Sequence, residues 1–208
     1  MDYSEHLKSC VDQTLDGASR LNDHALSIEG MSSKNIRTLV NFLLNTDDSR
    51  YLEIGTWRGA TFYSALYSNN IKQATVIDDF SQFDGSLDAF LKNMQGVPVD
   101  YQVIVKDCFN LDIQELKGPY NFYFFDGYHS LDNQTKALTE YYTVLDDEFI
   151  YICDDWNWDD VRNGTKAGVA ACGLTVVKDY EFFTPNRANG DTTTWWNGFY
   201  VAHMKKGK

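Results

Sequence analysis

The chain has 208 residues, of which 43% are hydrophobic and 15% aromatic, with only 3 prolines. That is the make-up of one packed domain, not of a disordered or linker-rich chain. A formal net charge of −12 counts against a nucleic-acid partner, because phosphate binding needs a basic surface that displaces counterions. No apolar run approaches the roughly 20 residues needed to cross a bilayer, and residues 1–6 lack the basic and apolar regions of a signal peptide. The expectation is a cytoplasmic protein that acts on a small molecule, with no membrane partner.

Residues 1–47 read as a helical extension: Leu15, Ala18 and Leu21, then Ile36, Leu39, Val40, Leu43 and Leu44, recur at three- and four-residue steps, with Ser32-Ser33 as a cap before the second run. Its apolar stripe either covers one side of the domain or makes a homo-oligomer interface. From residue 48 to 208 the pattern becomes alternating strand and helix. Apolar runs at Tyr51–Ile54, Ala74–Ile77, Tyr101–Val105, Phe122–Phe125 and Phe149–Cys153 are separated by stretches such as Ala60–Tyr67, Leu87–Met94 and Leu131–Val144. This suits crossover connections in a mostly parallel α/β sheet with helices on both faces. Two more runs, Leu174–Tyr180 and Gly198–His203, have no such helix between them and read as an antiparallel pair, giving seven strands. Cys10, Cys108, Cys153 and Cys172 form neither a CxxC pair nor a zinc spacing and read as structural thiols.

The loop after the first strand, Glu53-Ile54-Gly55-Thr56-Trp57-Arg58-Gly59, leads into a helical stretch. Glycines there let the backbone turn sharply and approach a ligand. A dinucleotide fold wants G-x-G-x-x-G with a pyrophosphate on the helix N-terminus, whereas Trp57 stands where the middle glycine would be. Glu53 would repel a diphosphate and suits a cationic cofactor. The loop resembles the first motif of class I S-adenosylmethionine-dependent methyltransferases, whose Rossmann-like sheet has the strand layout inferred above. That resemblance implies S-adenosyl-L-methionine at Glu53, Gly55, Thr56 and Gly59. The second strand ends in Asp78-Asp79, about twenty residues on, where an acidic side chain usually holds a ribose; Asp78 directly ends the apolar run and is preferred. The other reading is that both aspartates cap the following turn. The same resemblance sets Asp107-Cys108 beside the adenine, with a plain surface turn as the alternative.

Two further strands end in acid: Phe122–Asp126, followed by Gly127, Tyr128 and His129, and Tyr151–Asp155. In an open α/β sheet ligands sit beyond the carboxyl ends of the strands, so Asp126, Asp154 and Asp155 converge near the cofactor loop if these strands neighbour the first. Carboxylates in one cleft repel one another and are best tolerated around a shared hard cation, Mg²⁺ or Ca²⁺. His129, on the loop above, is suited to accept a proton near neutral pH. The plainer alternatives are a turn-capping Asp154-Asp155 and a capping or solvated His129.

Together with Val161-Arg162 and Gly168-Val169, these segments resemble the metal-dependent macrocin-type sugar O-methyltransferases over about residues 50–170. The resemblance implies Mg²⁺ at Asp126, Asp154 and Asp155, His129 as the base, and a sugar or other polyhydroxylated small molecule as acceptor. Tyr128 departs from the acidic residue common there. Trp156, Trp158, Trp195 and Trp196 are either core residues or faces that stack on substrate. Residues 186–194 read as a loop that closes over substrate or as a long hairpin connection. Arg162 and Arg187 are either contacts for an anionic substrate or surface ion-pair partners. Two other functions stay open: a cofactor-binding module without turnover, and a nucleotide-sugar transferase using Asp78-Asp79 as metal acids.

Overall fold

A computed structural model of the chain describes residues 1–207. Three N-terminal helices, α1 (Tyr3–Leu15), α2 (Asp23–Ser27) and α3 (Lys34–Leu43), precede β1 (Ser49–Ile54), α4 (Ala60–Leu66), β2 (Ile71–Ile77), α5 (Leu87–Asn93) and β3 (Gln102–Ile104). Then follow β4 (Tyr120–Phe125), α6 (Leu131–Thr139), β5 (Leu145–Asp154), α7 (Asp159–Ala171), β6 (Thr175–Phe182) and β7 (Phe199–Lys205). The sheet order is β3-β2-β1-β4-β5-β7-β6. The pairs from β3 to β5 are parallel, and β7 runs antiparallel between β5 and β6. This is the expected seven-stranded, mostly parallel Rossmann-like sheet with an antiparallel last pair.

Alternation along each strand fills two cores, because successive side chains point to opposite faces. Tyr51, Val76, Phe122, Phe124, Ile150, Ile152 and Val201 face α1–α5, while Leu52, Ile54, Tyr123, Phe125, Tyr151, Cys153 and Ala202 face α6 and α7. The apolar stripe of α3 is spent inside the chain, since Ile36, Leu39, Val40, Leu43 and Leu44 belong to the first core. Ser33 caps α3 by accepting from the Ile36 N–H, as its position before the apolar run suggests.

One helix goes unread in the sequence. α7 contains Gly164 and Gly168, which look like breakers. Both are contact points: an added Cβ at Gly164 would lie 2.5 Å from the Gln134 Cβ and the Leu131 carbonyl, and one at Gly168 would lie 3.0 Å from the Thr135 carbonyl. The two glycines let α7 press against α6 on the second face of the sheet.

Candidate active site

β1, β2, β4 and β5 end side by side, and their carboxyl ends open into a cleft of about 310 Å³. Topology explains its position. The chain leaves β1 toward β2 on one side and later returns to β4 on the other, so the loops after β1 and β4 part at this point and leave a crevice between them.

The glycine loop forms its floor. Gly55 has φ +78, and an added Cβ would lie 1.9 Å from the Asp126 carbonyl oxygen. The Gly55 N–H donates to the Ile77 carbonyl at 2.9 Å and the Asp126 N–H to the Ile54 carbonyl at 2.8 Å. Three strand ends are therefore fastened at one glycine. Gly59, φ +85, opens α4 against Phe90. Trp57 stands where a dinucleotide loop has its middle glycine and keeps a glycine-like backbone, φ 50. Its indole N–H donates to the Phe83 carbonyl at 3.0 Å, and the Arg58 guanidinium lies over its ring at 4.6 Å. Those contacts offset a left-handed conformation that costs an L-residue about 1–2 kcal/mol.

Two expected cofactor residues support the loop. Glu53 does not line the cleft: it is fully buried beneath it, accepting hydrogen bonds from the Tyr51 and Thr61 hydroxyls. The reason is strand geometry, since Glu53 shares its face with Tyr51 and points toward α4. Burial pushes its pKa up to about 7 against the opposing pull of those hydrogen bonds. Asp78 does line the cleft, but its Oδ2 accepts the backbone N–H groups of Thr56 and Trp57, both at 2.7 Å, and its Oδ1 that of Phe80 at 2.7 Å. It clamps the loop while keeping one edge toward the cavity. Asp79 turns to Ser81, so this pair is not assembled as a metal site. Thr56, Asp107 and Cys108 also line the cavity; Asp107 accepts from the Phe109 N–H at 2.8 Å, and burial pushes the Cys108 thiol up to about 12.

At the other end stand Asp126, His129 and Asp155, which each offer a ligand atom within 4.8 Å of the others. This departs from the expected trio of Asp126, Asp154 and Asp155. Asp154 is the last residue of β5, and Asp155 leaves the strand at φ 57; the chain turns between them, and Asp155 alone reaches the histidine. Asp154 stays at the cavity wall. The His129 Nε2 lies 2.7 Å from the Asp155 Oδ2 and 4.0 Å from the Asp126 Oδ1, and Trp158 meets the imidazole edge-on at 5.1 Å.

The charges here are strained. Burial, then the Asp155 charge, pushes Asp126 up to about 8. Burial and the Asp126 and Asp155 charges raise Asp154 well above the carboxylate range. Burial alone would lower His129, but the hydrogen bond to Asp155 and the two carboxylate charges outweigh it and raise the pKa. The Asp154 Oδ1, Asp155 Oδ1 and His129 Nδ1 are buried without hydrogen-bond partners. Buried unpaired carboxylate oxygens beside a histidine are a donor set that fits a hard divalent cation.

Of the four tryptophans expected at the rim, Trp158 and Trp196 line the cleft, whereas Trp156 stacks on Tyr200 at 4.0 Å and Trp195 on Phe182 at 3.9 Å, inside the cores. Arg162 and Arg187 are elsewhere: Arg162 bonds the Trp156 carbonyl and Asp159, and Arg187 lies over Phe183 at 3.5 Å. Lys106 is the one Lys or Arg among the described lining residues, and it is paired with Glu115 at 2.7 Å. The sequence reading missed Gly30-Met31-Ser32, which form a wall of the cleft; they lie far from any motif in the chain, and their composition carries no signal.

No protein-family model matches the chain, and no curated protein does. Solved structures do. The chain resembles a candidate O-methyltransferase from Klebsiella pneumoniae (15% identity, 99% of this chain and 90% of that one, TM-score 0.62). It resembles the O-methyltransferase from Bacillus cereus in complex with S-adenosylhomocysteine (12%, 97% and 91%, 0.57). It also resembles the O-methyltransferase TomG from Streptomyces achromogenes, involved in tomaymycin synthesis, in complex with S-adenosylmethionine (15%, 98% and 90%, 0.54). These likenesses show the fold, a Rossmann-like and mostly parallel seven-stranded sheet of the kind these solved methyltransferases have. No helix among the described residues is long and apolar enough to cross a membrane.

Proposed function

We propose that the chain is an S-adenosylmethionine-dependent O-methyltransferase that acts, with a divalent cation, on a hydroxyl of a sugar or similar polyhydroxylated small molecule. The observation that carries this reading is the convergence of Asp126, His129 and Asp155 in one cleft with the clamped glycine loop. Neighbours of the same fold bind the methyl donor or its product, by their names.

The cofactor, when bound, supplies a methyl group on a sulfonium; the loop at Gly55, Thr56 and Gly59 and the edge of Asp78 would hold it. Six aspartates line the cleft (Asp78, Asp79, Asp107, Asp126, Asp154 and Asp155) against the single paired Lys106. That balance favours a cationic cofactor and disfavours an anionic acceptor such as a nucleotide-sugar. A divalent cation would be held by Asp126 and Asp155 with Asp154 adjacent, and when bound it supplies positive charge that favours the deprotonated hydroxyl. His129 takes the hydroxyl proton. Asp155, 2.7 Å from the Nε2, holds the imidazole in one orientation, and its carboxylate would stabilise the imidazolium that forms.

Calorimetry with S-adenosylhomocysteine tests the cofactor assignment, and a screen of sugars and small phenols for methyl transfer, with Mg²⁺ removed and restored, tests the reaction. Absence of cofactor binding would sink the reading. Binding without transfer to any acceptor would favour a binding module.

A further inference from the structure

The N-terminal helices place an arginine behind the cleft that the chemistry above does not use. Arg37, on α3, is 5% exposed, and no carboxylate pairs with it among the described residues. Its guanidinium is spent instead on the backbone of residues 25–32. Nη1 donates to the carbonyls of Ala25 at 3.3 Å, Leu26 at 3.4 Å and Ile28 at 2.8 Å. Nη2 donates to those of Gly30 and Ser32, each at 3.4 Å, and Nε to the Ser32 hydroxyl at 2.9 Å. Ala25 and Leu26 sit in the last turn of α2, whose carbonyls have no helical partner. A planar fork with five donors collects such a set where an ammonium cannot.

What Arg37 gathers is the wall missed in the sequence. Gly30, Met31 and Ser32 face the cavity. Gly30 is wedged between the guanidinium and the start of α4: an added Cβ would lie 2.8 Å from the Arg37 Nη2 and 2.4 Å from the Ala60 Cβ. Arg37 therefore sets how closely the strap rests on the helix that follows the glycine loop. Two ties hold the strap's ends. Glu29 pairs with Arg58 of that loop, and the Ser33 hydroxyl donates to the Thr194 carbonyl at 2.6 Å.

We infer that Arg37 is a positioning residue for the adenosyl cofactor, acting through the strap at residues 28–33, whose distance from the glycine loop it fixes. The inference rests on the cofactor reading above. A clamp that served only stability would leave affinity unchanged in the folded protein; a positioning clamp moves affinity apart from stability.

S-adenosylhomocysteine is the probe. In the wild-type protein it should slow hydrogen exchange at the amides of residues 30–33 as well as at 55–59. Arg37→Met should raise its Kd at least ten-fold in protein that remains folded, with the Kd for Mg²⁺ changed less than two-fold, because Asp126 and Asp155 lie on other elements. Arg37→Lys, which keeps the charge but not the fork, should recover part of the loss. Folded Arg37→Met with unchanged cofactor Kd overturns the inference. So does a wild-type protein that binds the probe without protection at 30–33, a result that stands even if Arg37→Met fails to fold. A wild-type protein that does not bind the probe at all removes the cofactor reading and this inference with it.

Discussion

The pH dependence of cation binding follows from the electrostatics of the cleft. Asp126 is pushed up to about 8 by burial and by the charge of Asp155, and a cation binds only the ionised carboxylate. With the pKa raised into that range, the ionised share of Asp126 grows as pH rises from 6 to 8, so the Kd for Mg²⁺ should fall by at least about ten-fold over that interval. Asp154 is also raised, by burial and by Asp126 and Asp155, and its ionisation on cation binding acts in the same direction. The assay is calorimetric titration of Mg²⁺ at several pH values, in two buffers of different ionisation enthalpy, which counts the protons released; at pH 6 cation binding should release a proton from Asp126. Stability gives a second reading. Because the folded-state pKa of Asp126 lies above its unfolded value, its contribution is full below about pH 4 and is lost as pH rises through about 8. The cation-free melting temperature should thus fall between pH 5 and 9, and saturating Mg²⁺ should restore much of the loss at the alkaline end. A Kd that changes less than three-fold between pH 6 and 8, with no proton release, would rule out a raised Asp126 as a ligand of the cation.

Three substitutions probe the rest of the site. Gly55→Ala combines a left-handed backbone with a Cβ 1.9 Å from the Asp126 carbonyl, where carbon and oxygen ordinarily approach to about 3.3 Å; denaturant titration should show a loss of at least about 2 kcal/mol, and cofactor binding should disappear. Asp78→Asn removes a charge-assisted acceptor from the Thr56 and Trp57 amides; loss of about 1.5–3 kcal/mol of loop anchoring should appear as faster amide exchange at 55–59 and at least ten-fold weaker binding of S-adenosylhomocysteine. His129→Gln should lower transfer by at least about 100-fold while leaving that Kd within three-fold, and full activity would remove the base assignment.

Strand interiors were legible because each apolar run is bounded by polar turns, but their beginnings were not. β1 starts at Ser49, β2 at Ile71 and β5 at Leu145, and the polar residues there, Arg50, Lys72, Gln73 and Asp146–Glu148, are as common in turns as in strands. Lys72 and Arg50 are held across strand ends through Asp48 and Asp146, contacts that exist only after the sheet has formed. α7 escaped for the opposite reason. Its glycines are penalised by propensity, and their value lies in the close approach of α6, a partner the local sequence does not contain.

The carboxylates were legible as a group because strand ends in this sheet order meet at one crevice, yet their division of labour was not. Chain spacing makes Glu53, Asp78, Asp126, Asp154 and Asp155 look alike: each is an acid at the end of an apolar run. What distinguishes them is which donors reach them first. Hydroxyls from the same face and the next helix reach Glu53, and backbone amides of the turned loop reach Asp78. Asp154 and Asp155 keep buried oxygens that no protein donor reaches. Because a buried carboxylate costs several kcal/mol unless paired, the acids that protein donors satisfy, Glu53 and Asp78, are the ones that hold the loop in shape, and the unpaired oxygens of Asp154 and Asp155 are where the proposed cation would relieve the cost.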